Sequence, residues 1–308
     1  MEKEVMICDG LSKCYHKKAV LENVSLNIKS GSIMGLVGEN GAGKTSLIRI
    51  LAGLSLLSSG RFSFFGKPLG KDVLVSLEKI GFMLNNNTLY KNWSVMKNIY
   101  FSQLLHSGNK NREEALRLLN LVGLYAQKDK KVGKLSYGMQ QRLSFAMALV
   151  NNPEFMILDE PVNGLDPMGI IMLRNIIKRL NHDNGITFLI SSHNLGELEQ
   201  VATHYAFLNK GHLEKVISSD ELKQKLRKGV RITVDNISYA VSVLKQSFTQ
   251  YSIRTEASFI EIIEDNLKTD MIIKSLSNAG INILEITTFS ECIEDYYRRI
   301  ILEEIVND

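Results

Sequence analysis

Nine consecutive residues, Gly38-Glu39-Asn40-Gly41-Ala42-Gly43-Lys44-Thr45-Ser46, carry the most specific chemistry in the chain. The first eight fit GxxxxGK[ST], and they stand where the pattern needs them, after the apolar SIMGLV and before the helical SLIRILAGL. Glycines let successive backbone N–H groups curl around phosphate oxygens, and the start of a helix adds partial positive charge. Lys44 suits the β- and γ-phosphates of a nucleoside triphosphate, the Thr45 hydroxyl suits Mg²⁺, and Ser46 belongs with the same phosphate-facing loop. By itself the loop says no more than "nucleoside triphosphate".

A second constellation is Phe155-Met156-Ile157-Leu158-Asp159-Glu160, a continuously apolar run that ends in two carboxylates. Such a run fits a strand buried on both faces of a parallel sheet, so the acids fall at its carboxyl edge. Adjacent strand residues point to opposite sides, which gives the two acids different roles. Asp159 is placed to bind the Mg²⁺ shell, and Glu160 to orient and deprotonate a water that attacks phosphorus. Directly upstream, Leu135-Ser136-Tyr137-Gly138-Met139 opens an amphipathic helix, and a serine and a glycine at a helix start make another phosphate-binding edge.

At this point the chain resembles the ATP-binding-cassette (ABC) family. Its signature LSxGQ is matched as LSYGM, with Met139 in the last place. Asn163-Gly164-Leu165-Asp166 resembles the D-loop, with Asp166 at its end. His193 in ISSHNLGEL resembles the switch histidine, and Tyr15 in KCYHKK the aromatic A-loop. The matches run from about residue 5 to 215. The resemblance implies ATP and Mg²⁺ as cofactors and two cassettes facing head to tail. Ser136, Tyr137, Gly138 and Met139 would then complete a partner's site rather than their own. It also implies that His193 contacts the γ-phosphate and supports Glu160, and that Tyr15 stacks on adenine, a contact worth about 1–3 kcal/mol.

The amide run Asn85-Asn86-Asn87 follows Ile80-Gly81-Phe82. Aligned with the family, Asn85 takes the place of a glutamine near the metal, one methylene shorter, reaching it directly or through a bridging water. Asn86 and Asn87 also read as an ordinary polar turn. Leu89-Tyr90-Lys91-Asn92-Trp93-Ser94 with Asn98 resembles the FYPNLT-then-EN segment of bacitracin- and lantibiotic-type export and immunity cassettes, as do LSYGM, ISSHNLGELEQVATH and the closing IEDYYRRI. Tyr90 and Trp93 read either as aromatics that dock a permease or as a small satellite core. The basic run from Gln127 to Lys134 reads either as a patch for anionic headgroups or as a solvated loop.

The elements that must position these groups are legible in the periodicity. Val24, Leu26 and Ile28 alternate with Ser25 and Asn27 in a strand, and RFSFFGKPL repeats that character. Ala115, Leu118, Leu119 and Val122 fall on one helical stripe, and Leu143, Ala146, Met147 and Val150 on another. ITFLISS is a further buried strand. Strands alternating with helices predict an α/β domain with its ligand at the carboxyl ends of the strands. The expected fold class is α/β: a P-loop NTPase ABC cassette with β-subdomain, RecA-like core and helical subdomain. A small α+β ferredoxin-like domain follows, expected from the order strand, helix, strand, strand, helix, strand after RITVD. The boundaries predicted are 1–216 for the cassette, 217–228 for a linker and 229–308 for the accessory domain.

The 308 residues include 37 basic and 33 acidic ones, so the net charge of +4 argues against a nucleic-acid partner. MEKEVMICDG lacks an apolar signal core, and no stretch approaches the ~18 apolar residues of a membrane span. The expected place is the cytoplasmic side of the cell membrane, peripherally held. Cys8, Cys14 and Cys292 lack metal-like spacing and read as free thiols. The function expected from the resemblance is that of an ATPase subunit of an exporter, working with a separate membrane permease and a second cassette, identical or related. A soluble cassette without a permease is the alternative, and a small-molecule kinase leaves LSYGM and His193 without a role.

Overall fold

β1 (Glu4–Tyr15) and β2 (Lys18–Lys29) pair antiparallel. Val24, Leu26 and Ile28 are buried while Ser25 and Asn27 face solvent, as a period of two dictates. β4 (Ser59–Phe64) and β5 (Lys67–Pro68) complete a sheet in the order β2-β1-β4-β5. The computed structural model describes residues 3–16, 18–68, 76–84, 89–264 and 269–305, with side chains as far as Leu302. Asn85, Asn86 and Asn87 lie outside the described residues.

The second sheet holds six strands. β3 (Ile33–Val37), β6 (Ile80–Met83), β7 (Phe155–Asp159), β8 (Thr187–Ser192), β9 (His204–Asn209) and β10 (His212–Ser218) are arranged β10-β9-β3-β8-β7-β6, parallel except for β10. Every residue of β3, β7 and β8 is buried, which explains their apolar character, broken only by Asp159 in β7 and by Thr187, Ser191 and Ser192 in β8. The register sets Val37 beside Ser192, and Asp159 beside Ser191. The carboxyl ends of β3, β7 and β8 are therefore level, and whatever follows each of them meets at one edge. α1 (Lys44–Leu51) packs its Leu47, Ile48, Ile50 and Leu51 into a core shared by both sheets.

α2 (Val95–Ser107), α3 (Arg112–Leu121) and α4 (Tyr137–Ala148) form the helical part. Ala115, Leu118, Leu119 and Val122 are buried, as their spacing predicts. The stripe on α4 differs from expectation: Leu143, Phe145, Ala146 and Ala148 are the buried residues, and Val150 lies beyond the end of the helix. Tyr90 stacks on Trp93 at 4.3 Å, with Phe101 of α2 set edge-on to both. The buried Asn98 side chain accepts from Tyr90 N and donates to the Tyr90 and Ser94 carbonyls, clamping the turn beneath them. The basic segment runs alongside: Val132 N donates to Trp93 O, and Gly133 N to Lys91 O. α5 (Pro167–Asn184) and α6 (Leu195–Glu199) complete the region.

The chain divides into two compact units, Met1–Asp220 and Glu221–Asp308. Where the sequence suggests a linker over 217–228, β10 finishes and α7 (Ser219–Lys225) forms. The second unit contains β11 (Lys228–Val234), α8 (Ile237–Ser247), β12 (Ser252–Thr255), β13 (Ile260–Ile263), α9 (Thr269–Asn278), β14 (Ile283–Ser290) and α10 (Ile293–Ile305). Its sheet is antiparallel in the order β12-β13-β11-β14, the split βαββαβ plan, with Val230, Ile232, Ile260 and Ile262 packed against Ala240, Leu244, Ile272 and Leu276. Among the described residues, no helix is long and apolar enough to cross a membrane.

Candidate functional site

The loop from Gly38 to Gly43 joins β3 to α1. Gly43 caps α1 with φ 112°, and a Cβ there would lie 2.7 Å from Leu21 Cδ2 and 2.9 Å from the Val20 carbonyl oxygen. A Cβ on Gly38 would stand 2.4 Å from the Leu208 carbonyl oxygen. Side chains are thus excluded where the loop presses against β2 and β9. No side chain caps α1 and no acid stands in its first turn, so its leading N–H groups and positive dipole end are left for an anion. The Lys44 ammonium is buried and donates to Gly38 O at 2.6 Å and Glu39 O at 3.2 Å, with Glu160 Oε1 3.7 Å away. Burial holds its pKa below the usual lysine value, and Glu160 and Asp159 partly oppose that shift.

The two acids have different surroundings, and the strand alternation expected to separate them stops short of Glu160, which lies past the end of β7. Asp159 closes β7 and is 3% exposed, and its Oδ1 accepts from Ser191 Oγ at 2.6 Å. Glu160 follows in the left-handed region at φ 51°, and its N–H donates to both Ser191 Oγ at 3.0 Å and Ser191 O at 3.2 Å. His193 Nδ1 lies 2.8 Å from Glu160 Oε2. Glu39, Asn40, Gly41, Gly43, Lys44, Thr45 and Ser46 line one polar cleft of about 490 Å³ together with Glu160, Asn163 and His193. Ser191 is a site residue that sequence reasoning misses. Its signal is weak, one of two serines that end a buried strand, where a hydroxyl needs a buried partner.

Ala42 is buried within the loop. Tyr15 stands beside the cleft rather than in its wall: its hydroxyl is 3.2 Å from Ser55 Oγ, a bond that holds the phenol pKa below its usual value, and Ser46 is close by. Ser136 caps α4, accepting from Met139 N at 3.3 Å, and Tyr137 OH accepts from Gln141. A Cβ on Gly164 would stand 2.4 Å from the Tyr137 ring, and one on Gly138 would stand 3.3 Å from Leu165. The Ser136–Met139 turn therefore packs on the Asn163–Asp166 turn. Asp166 occupies the N-cap position of α5, followed by Pro167. None of Ser136, Tyr137, Gly138 and Met139 lines the cleft that holds Lys44. A Thr45 hydroxyl and an Asp159 carboxylate are hard oxygen donors, a set that fits Mg²⁺ completed by phosphate and water oxygens.

The chain is similar to known proteins along most of its length. The family model described as "ABC transporter" matches residues 21–163. The chain is 35% identical over 293 residues to the Bacitracin transport ATP-binding protein BcrA of Bacillus licheniformis, covering 94% of this chain and 95% of that protein. It is 31% identical over 297 residues to the BcrA of Enterococcus faecalis, covering 96% of each. The Lantibiotic transport ATP-binding protein SrtF of Streptococcus pyogenes is 39% identical over 219 residues, covering 70% of this chain and 93% of that one. Among solved structures, a dimeric ATP-binding cassette in a post-hydrolysis state bound to ADP and Pi matches with TM-score 0.65 and 25% identity, over 70% of this chain and 98% of that one.

Proposed function

The chain belongs to the ABC transporter family as an ATP-binding subunit and ATPase, and from that premise we propose that it powers export of peptide antibiotics or similar amphipathic cargo through a separate membrane permease. ATP is held by the Gly38–Ser46 loop, its N–H groups and Lys44 neutralising the phosphates and Tyr15 flanking the base. Thr45 and Asp159 would hold Mg²⁺, which would screen phosphate charge. Glu160 accepts a proton from the attacking water, while His193 fixes the carboxylate by binding its second oxygen. Ser136 and Gly138 from a second cassette close the site. Catalysis on this reading is positioning and charge neutralisation of phosphoryl transfer to water.

The observation that carries it is the Glu160 carboxylate, fixed on one side by His193 at 2.8 Å and facing Lys44 at 3.7 Å on the other, within the cleft that the glycine loop lines. The nature of the cargo rests on the bacitracin and lantibiotic relatives. Purification of the tagged protein from solubilised native membranes tests the transport reading. A multi-span membrane protein recovered with it supports the exporter. Recovery in membrane-free fractions alone, with full ATPase activity, supports a cassette that works without a permease.

A further inference from the structure

We propose that Ser191 is a positioning residue for hydrolysis, aligning Asp159 and Glu160 through one hydroxyl. The proposal rests on the roles given above to those two acids. Ser191 is fully buried near the end of β8, next to Asp159 in the parallel register. Its hydroxyl proton goes to Asp159 Oδ1 at 2.6 Å, a short bond of the charge-assisted kind. That direction leaves the oxygen's lone pairs for Glu160 N–H, which reaches it at 3.0 Å.

Two consequences follow from the one rotor. Asp159 Oδ1 is held by the Ser191 hydroxyl, which restrains the carboxylate that on the role given above would face the Mg²⁺ shell. Glu160 sits at φ 51°, a conformation that a non-glycine residue holds only when its surroundings fix it. Ser191 supplies both acceptors for that N–H, its side-chain oxygen and its carbonyl. With the hydroxyl removed, Glu160 N–H keeps the carbonyl but Asp159 loses its donor. The main loss therefore falls on Asp159, the carboxylate that would join the Mg²⁺ shell. The neighbouring Ser192 acts elsewhere, its hydroxyl bonding the Asn194 backbone and capping the turn into α6.

The test compares Ser191→Ala and Ser191→Thr with the parent protein and with Glu160→Gln. Ser191→Ala is expected to lower kcat about 10-fold, the usual worth of one charged hydrogen bond. It is also expected to raise the Mg²⁺ concentration for half-maximal turnover, and to leave Mg²⁺-free binding of a fluorescent ATP analogue within about twofold of the parent. Ser191→Thr keeps the hydroxyl and is expected to recover most of the rate. Where the alanine protein is too unstable to assay, Ser191→Cys, similar in volume with a weak donor, is expected to lose rate in the same direction. A folded Ser191→Ala or Ser191→Cys protein with unchanged kcat and Mg²⁺ requirement overturns the proposal, as does a threonine variant as impaired as alanine. Normal turnover in Glu160→Gln fails the underlying reading instead, so the two failures are told apart.

Discussion

His193 Nδ1 sits 2.8 Å from Glu160 Oε2, so a half-exposed imidazole orients an almost buried carboxylate from the solvent side. With the carboxylate ionised, the ring nitrogen is the donor and the other oxygen, Oε1, stays directed to Lys44. This pairing predicts that His193→Ala lowers the ATPase kcat by roughly 10²-fold, within the range of a positioned general base, while ATP affinity changes little. Steady-state kinetics beside a binding titration separate the two. A parallel loss of affinity would assign His193 to ground-state binding.

Lys44 predicts a pH effect. Burial depresses its pKa in the free protein, so the unfolded chain holds that proton more tightly and the unliganded fold gains stability as pH rises through the lowered value. A bound polyphosphate raises the pKa again, so nucleotide binding takes up a proton in alkaline solution, and affinity falls as pH climbs past the free-state value. Calorimetry in two buffers of different ionisation enthalpy reads the uptake directly. Lys44→Ala should abolish measurable binding, and unaltered binding in that variant would remove Lys44 from the site.

Much of the site is legible in the sequence because its parts are local. The glycine loop, the strand-end acids and the SSH run each specify their own backbone, and alternation of strands and helices brings their ends to one sheet edge. What escapes such a reading depends on tertiary contact. Ser191 is one of two serines ending a buried strand until its register beside Asp159 is known. Asn98 stands out in the sequence only by resemblance, and its three bonds to the Tyr90–Ser94 turn come from the first turn of the helix that follows it. Tyr90 and Trp93 form a small aromatic cluster with Phe101, as the satellite-core reading expects, and each keeps more than a third of its surface exposed.

Gly164 and Tyr137 are predicted to be energetically coupled. Gly164 has φ 74° and no room for a Cβ beside the tyrosine ring. Gly164→Ala should destabilise the protein by about 1–3 kcal/mol, through crowding and the left-handed backbone. Tyr137→Ala in the same chain should return the crowding part. Urea unfolding of the single and double variants measures the coupling, and strictly additive effects would show that the turns do not press on one another.

The three thiols should differ in reactivity. Burial pushes the Cys8 pKa up to about 12, desolvation with the Asp295 hydrogen bond pushes Cys292 to about 11, and Cys14 and Cys292 are both exposed. Only the thiolate attacks a disulfide reagent. At pH 8 the native protein should show one fast thiol, lost in Cys14→Ser, a slow second from Cys292, and Cys8 only on unfolding. Rapid labelling of Cys8 in the folded state would contradict its place in the core.

The central claim is that ATP is closed between two copies of this cassette, with Ser136 and Gly138 of each facing the loop of the other. Glu160→Gln should cut turnover by roughly 10²–10⁴ while leaving ATP in place. Light scattering on that variant, with and without saturating MgATP, is the most direct measurement. A shift from monomer to dimer mass on adding MgATP, lost again when Ser136 is replaced by arginine, is the predicted result. A mass that stays monomeric under saturating MgATP would contradict it.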